Sequence, residues 1–358
     1  MMLDQLATPA LLLDVDRMDA NIRAMQARAD TLGVRLRPHA KTHKSAMVAK
    51  RQVAAGARGL TVATLPEAEY FAAEGFSDLL WAFPFPPSRL PAAQALADRI
   101  TLRVTVDDLA TVETLARPGF PWRVWLKVDC GYHRAGVDPE SARAITLARR
   151  VADSTALQLE GIVTHSGHSY KARSHAERLA IAETERAVAV AFCARLADVG
   201  LPVEASVGST PAMTAARNLT GVAEMRPGNY VFFDGMQVVI GSCRPAEVAV
   251  TVLATVVSAP AGLDHVVIDA GALALSKDTG VTDPAHFGAV LTDTGEPIPD
   301  AIVRSVSQEH GLVTARLPVG TRVRVVPNHS CLTVACFDEY VVLLKNEPVD
   351  RWPIDRHR

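Results

Sequence analysis

A chain of 358 residues with 49% hydrophobic and 21% charged residues can bury one large domain and a smaller one. A formal net charge of −2 leaves no basic face for a phosphate backbone, so nucleic acid is not an expected partner. No apolar run approaches the roughly 20 residues of a membrane helix, the N-terminal stretch does not read as a signal peptide, and five scattered cysteines without a CxxC pair argue for a reducing, cytoplasmic setting.

The first element in chain order is a short strand pattern, ALLLDV, over 10–15. Strand patterns recur at 34–39, 59–63, 78–82, 100–106, 123–129, 159–165, 204–207 and 222–226. Ala-rich amphipathic stretches separate them, among them RMDANIRAMQARADTL and HAERLAIAETERAVAVAFCARLADVG. Eight strands alternating with helices within about 200 residues predict a (β/α)8 barrel of the α/β class over 16–238. From about residue 240 the pattern shifts to β-branched, period-2 runs such as AEVAVTVLATVVSAP, DHVVIDAG, GLVTARLPVGTRVRVVP and EYVVLLKNEPVD. They predict a β-rich domain over 239–358, which the strand within 1–15 is expected to join.

A barrel carries its chemistry on the loops after the strands. Here those loops are PHAKTHK, DCGYHRAG, HSGHSY, SVGSTP and RPGNY, all polar and Gly-bearing. Gly208, Ser209, Thr210 and Gly228 lie after the last two strands, where barrels hold phosphate groups; read alone, GST is equally a helix cap. Lys41 follows the first barrel strand and is the candidate for a covalent carbon–nitrogen link. Arg37, Lys44 and a protonated His43 are expected to crowd its amine with positive charge and favour the neutral form. Arg134 is a candidate donor to a phenolate oxygen, or an ion-pair partner of Asp129. Tyr170, His165 and His168 are candidates to face an aromatic cofactor ring, or simply fill the barrel mouth.

Taken together, RPHAKTHK, DCGYHRAGV, THSGHSY, SVGSTP, EMRPGNYVFFDGMQ, DAGALALSKDTG, SQEHG and PNHSC resemble the fold-type III pyridoxal-phosphate enzymes of the D-serine dehydratase and D-threonine aldolase group. The resemblance implies an alanine-racemase-like barrel followed by the β-rich domain. It also implies Lys41 as the Schiff-base lysine, Arg134 at the cofactor's phenolic oxygen and Tyr170 near its ring. Further cofactor contacts are implied for His39, His165, Gly208, Ser209, Thr210, Gly228, Asn229 and Tyr230.

The same resemblance implies a divalent metal, zinc or else manganese or magnesium, on His329 and Cys331. Their i, i+2 spacing would point both side chains to one face of an extended segment, and imidazole with thiolate suits zinc. Two protein ligands suit a catalytic ion with open positions. The implied reaction is dehydration of a D-β-hydroxy amino acid (D-serine, D-threonine or D-threo-3-hydroxyaspartate) to a 2-oxo acid and ammonia. Aldol cleavage to glycine and an aldehyde is the alternative, and racemisation a second one. The HSC and GHSY wordings resemble the dehydratases, since the aldolases often carry a carboxylate at the Cys331 position. A homodimer is implied, with Ser276, Asp278 and His310 as candidate contacts to substrate or partner subunit, although their segments equally read as turns.

Overall fold

The computed structural model describes residues 3–281 and 284–356. Its strands are β1 (Ala10–Asp14), β2 (Arg35–Leu36), β3 (Leu60–Val62), β4 (Asp78–Pro84), β5 (Thr101–Val106), β6 (Trp122–Lys127), β7 (Leu157–Val163), β8 (Glu204–Val207) and β9 (Glu224–Met225). They continue with β10 (Val250–Ser258), β11 (Val266–Ile268), β12 (Gly288–Thr292), β13 (Pro297–Val306), β14 (Gly311–Val313), β15 (Arg322–Pro327), β16 (Glu339–Leu344) and β17 (Glu347–Pro353). By Cα proximity the chain falls into two compact units, one of 25–41 and 48–228, the other of 3–24, 42–47 and 229–356.

In the first unit β2 to β9 form a parallel sheet of eight strands, in the order β2-β9-β8-β7-β6-β5-β4-β3. Hydrogen bonds from Arg58 N to Leu36 O (2.7 Å) and from Thr61 N to Pro38 O (2.9 Å) tie its two edges together. The expected barrel is therefore closed, and each of its strands overlaps a pattern read from the sequence. The strands are apolar because both faces are covered; Leu80, Trp125 and Val163 form one buried cluster. Helices begin where a capping side chain stops the extended chain. Thr64, Asp108, Ser141 and Ser174 each accept the N–H of the residue three positions on, worth about 1 kcal/mol apiece. These caps fix the length of each strand-to-helix loop and so hold the loops at one end of the barrel.

In the second unit β10, β11, β14, β13, β12 and β15 pair in a closed antiparallel ring, since β15 and β11 both pair with β10. β1 joins β10 antiparallel and β16 parallel, and β17 completes the edge. Leu6, Leu12, Leu253, Val341 and Leu343 pack together beneath β1. The strands β12 and β13 carry no clear pattern in the sequence, because Pro297, Pro299 and Asp300 interrupt the period of two and much of β13 is exposed. Residues 229–238 are bonded within this unit, with Asn21 Nδ2 donating to Val231 O (3.3 Å) and Ala249 N to Phe232 O (2.8 Å). No helix among the described residues is long and apolar enough to cross a membrane.

Candidate active site

Lys41 sits half-buried on the short turn Ala40–Thr42 that follows β2. His39 and His165 stand beside it. Burial first, and then the charge of Lys41, hold both imidazoles well below the usual range, with Lys127 adding to the effect on each. Arg226 acts on His39, and Arg134 on His165. His165 donates Nδ1–H to Gly208 O at 2.8 Å, since a carbonyl can only accept, which leaves Nε2 as an acceptor. Lys127 is buried at the end of β6, and burial together with Arg226 and Arg134 pushes its ammonium down to about 7. Arg37, expected from the sequence to crowd Lys41, is bonded instead to Glu224 (2.9 Å) and Asp78 (2.7 Å) at the opposite end of the barrel.

The alternative pairing of Arg134 with Asp129 does not form. Asp129 Oδ1 accepts the N–H groups of Gly131, Tyr132 and His133, and Oδ2 meets His133 Nδ1 at 2.7 Å. Asp129 thus shapes the loop, and the Arg134 guanidinium lies over the Tyr132 ring at 5.1 Å. Tyr132 also borders His165 and His168, with ring centroids 6.1 and 6.0 Å away. Any side chain at position 167 would collide with the Tyr132 ring, so Gly167 is what admits it. Tyr170 lies half-buried on the turn Gly167–Lys171.

One buried carboxylate ties the loops after β7 and β8. Glu185 accepts from Thr164 Oγ1 (2.8 Å), Ser166 Oγ (2.5 Å), Ser166 N (3.2 Å) and Gly208 N (3.1 Å). Gly208 has φ +138 and passes Arg226 N so closely that a Cβ would stand 2.9 Å from it, which only glycine tolerates. Ser209 Oγ caps the helix Thr210–Ala215 and shares hydrogen bonds with Ser166 (3.3 Å) and Ser169 (2.8 Å). The backbone N–H groups of Ser209 and Gly228 make no hydrogen bond among the described residues. Arg226 reaches Ser206 Oγ and Thr164 O in the barrel interior.

The second unit holds the other group of candidates. His329 Nδ1 meets Asp278 Oδ2 at 2.7 Å. Burial opposes charge on this imidazole, but Asp278 and Cys331 prevail and push it up to about 11. Cys331 Sγ lies 3.2 Å from Thr42 Oγ1 and 3.9 Å from Asn229 Nδ2. The segment is not extended as expected. Only His329 keeps extended angles, and Cys331 lies in the first turn of the helix Ser330–Val334. The cause is Asp234, whose Oδ2 accepts Ser330 N at 2.9 Å and starts the helix there. Asp234 also accepts from Asn229 Nδ2 (2.6 Å), so the Asn229 amide is committed within this unit. Tyr230 is buried on the same turn, Asn229–Val231. Among the described residues no group of three or more His, Cys, Asp or Glu side chains is placed to hold a metal; His329 and Cys331 stand as a pair. Asp278 turns to His329, Ser276 is held at φ 64, and His310 is exposed on a hairpin.

Sequence reasoning passed over Lys127, Arg226, Tyr132, Glu185 and Asp234. Lys127 carried a visible signal, a lone lysine closing the apolar run RVWLK. Glu185 and Asp234 carried none, because an acid on an Ala-rich helix or in a loop normally faces water.

A family model for the alanine racemase N-terminal domain matches residues 13–235, and one for the serine dehydratase domain matches 249–343. The chain is 40% identical to D-threo-3-hydroxyaspartate dehydratase of Delftia sp. (strain HT23), over 97% of each sequence. The solved structure of that enzyme superposes with a TM-score of 0.96 over 100% of both chains. D-serine dehydratase of Dictyostelium discoideum is 34% identical over 99% of this chain and 98% of its own. D-threonine aldolase of Arthrobacter sp is 31% identical over 97% and 92%.

Proposed function

Because the chain belongs to the family of D-threo-3-hydroxyaspartate and D-serine dehydratases, lyases built on an alanine racemase N-terminal domain, we propose that it dehydrates a D-β-hydroxy amino acid to a 2-oxo acid and ammonia, using pyridoxal phosphate and a divalent ion. One observation carries the reading. Lys41 stands at the barrel mouth beside two neutral histidines and near Lys127, Arg134 and Arg226, and none of these four cations makes an ion pair among the described residues.

That donor set fits a small anionic cofactor. Lys41, half-buried, and Lys127 and Arg226, buried, make no ion pair and are costly until an anion arrives, and the exposed Arg134 adds to their field. The free N–H groups of Ser209 and Gly228 suit a phosphate, and the buried Nδ1 of His168 has no protein partner. Arg134, Tyr170, His39 and His165 line the remaining mouth, and Thr210, Asn229 and Tyr230 continue the two phosphate loops. For the ion, imidazole and thiol at His329 and Cys331 suit zinc better than manganese or magnesium.

When bound, pyridoxal phosphate supplies an electron sink at the substrate Cα, and the ion a Lewis acid for the β-hydroxyl. Lys41 Nζ would hold the cofactor covalently, and its amine, when free, would take the α-proton. A base on one side of the substrate alone would select the D configuration. His39 and His165, kept neutral, add no further charge beside it. His329 and Cys331 would hold the ion, and Thr42, next in the chain to Lys41, bonds the Cys331 sulfur.

The five cysteines form no disulfide with one another, which suits a reducing, cytoplasmic setting. Leu273 and Leu332, 57% and 44% exposed, sit on two short helices joined by Thr333 Oγ1 to Leu275 O. This apolar face supports a homodimer.

The test is a panel of D-serine, D-threonine and D-threo-3-hydroxyaspartate with zinc, manganese or magnesium added. Expected are 2-oxo acid and ammonia. Glycine plus aldehyde without 2-oxo acid overturns the reading in favour of the aldolase. In Lys41→Ala, turnover should fall at least about 10³-fold and borohydride should no longer fix the cofactor to the protein.

A further inference from the structure

We propose that Asp278 is the positioning residue for His329, accepting its Nδ1 proton so that Nε2 is the nitrogen left to bind a divalent ion. The inference rests on the reading above for the ion and goes beyond it in assigning a role to Asp278, for which the sequence suggested contact with substrate or partner subunit.

The geometry is specific. Asp278 Oδ2 lies 2.7 Å from His329 Nδ1. A carboxylate at neutral pH can only accept, so the proton on this nitrogen belongs to His329, and Nε2 is the nitrogen that would give up its proton to an ion. The other carboxylate oxygen, Oδ1, accepts Gly280 N at 2.7 Å, which stops the side chain from rotating away. The loop itself is locked. Ser276 holds φ 64, rare outside glycine, and its Oγ accepts Asp278 N at 3.2 Å. Asn328, next to His329 in the chain, donates to Thr279 O (3.0 Å) and to His286 O (2.6 Å), pinning the far side of the same loop. A turn with no task would not keep a serine at positive φ, nor be clamped from the residue next to the histidine it orients. A carboxylate behind a ligating imidazole fixes the ring and raises its basicity, and losing it typically costs 10–100-fold in metal affinity.

The experiment titrates metal-free full-length protein with zinc against a chromophoric chelator, and with cobalt(II) by its thiolate charge-transfer absorption. Circular dichroism confirms the fold of each variant. The wild type should bind one ion per chain. D278A should bind about 10–100-fold more weakly, and D278N, whose amide oxygen still accepts the Nδ1 proton, should recover most of that loss. D278A binding as tightly as the wild type overturns the role of Asp278 while leaving the metal reading intact. A loss in D278A that D278N does not recover also overturns it, since charge rather than orientation would then be what matters. A wild type that binds no ion overturns both readings.

Discussion

The two ends of the barrel use the same residue types to opposite effect. At the floor, Arg37 bonds Glu224 and Asp78, Arg103 bonds Asp78 and Glu160, Arg35 bonds Glu204, and Arg123 bonds Glu160. These side chains, Arg123 apart, help to line a cavity of about 700 Å³. Burial works against the Arg37 charge, but Glu224 and Asp78 hold it above the usual range; burial likewise opposes the Asp78 charge, and Arg37 and Arg103 hold that carboxyl below its own. At the mouth, Lys41, Lys127, Arg134 and Arg226 stand without ion pairs, and Lys127 is driven down to about 7. Pairing links Glu224, Arg37, Asp78, Arg103, Glu160 and Arg123 in one chain, with Arg35–Glu204 as a separate pair, and stabilises the fold. Its absence leaves a positive field that only an incoming anion relieves, so binding energy is held in reserve at the end where barrels carry chemistry.

The comparison breaks most sharply at Arg37. Its side chain is 5% exposed and that of Glu224 only 1%. Arg37→Met should strand Glu224 as a buried, unpaired charge and cost about 3–5 kcal/mol by urea denaturation. Turnover per folded molecule should be unchanged, because the mouth is untouched. A loss of cofactor affinity with normal stability would instead return Arg37 to the cluster in which the sequence placed it.

Lys127→Met should do the reverse. It removes an unpaired buried cation, so the cofactor-free protein should gain about 1–4 kcal/mol, while protection by inorganic phosphate should weaken. The sign with pH follows from linkage. Below about 7 both folded and unfolded chains protonate Lys127, and the penalty of the buried charge is fully in force. Between about 7 and the ordinary 10.5 only the unfolded chain holds that proton, so wild-type stability gains on the variant as pH rises. The variant's advantage is therefore largest at pH 6 and shrinks towards pH 10. His329 titrates in both proteins and cancels in the difference, whereas Cys130 feels the Lys127 charge and does not cancel in full. An advantage constant across that range would mean that Lys127 keeps its proton in the fold.

The sequence made the barrel legible because each strand is a short apolar run bounded by loops, and the cap residues Thr64, Asp108, Ser141 and Ser174 are local signals. It did not reveal which end each charge faces. Arg37 and Lys41 are four residues apart and both follow β2, yet the Arg37 side chain turns back to Glu224 and Asp78 at the floor while Lys41 stands at the mouth. The floor partners are remote in the chain, with 187 residues separating Arg37 from Glu224. Asp278 and His329 are 51 apart, so a turn motif gave no hint of the imidazole it meets. Lys41, His329 and Cys331 were legible only through their motifs, since a lone lysine after a strand or an HxC pair has many ordinary readings.

The smallest expected effect tests whether burial, and not pairing alone, makes the floor stabilising. Arg35 and Glu204 form a separate outer pair, with side chains 42% and 48% exposed. Water solvates both charges before and after folding, so Arg35→Ala should cost about 0.2–1 kcal/mol, and less at high salt. Arg37→Met should keep most of its cost in the same salt, because buried pairs are poorly screened. The two variants measured side by side in low and high salt should therefore diverge. If Arg35→Ala matched Arg37→Met in size and salt response, the floor charges would act as one cooperative network, and exposure would not decide the worth of each bridge.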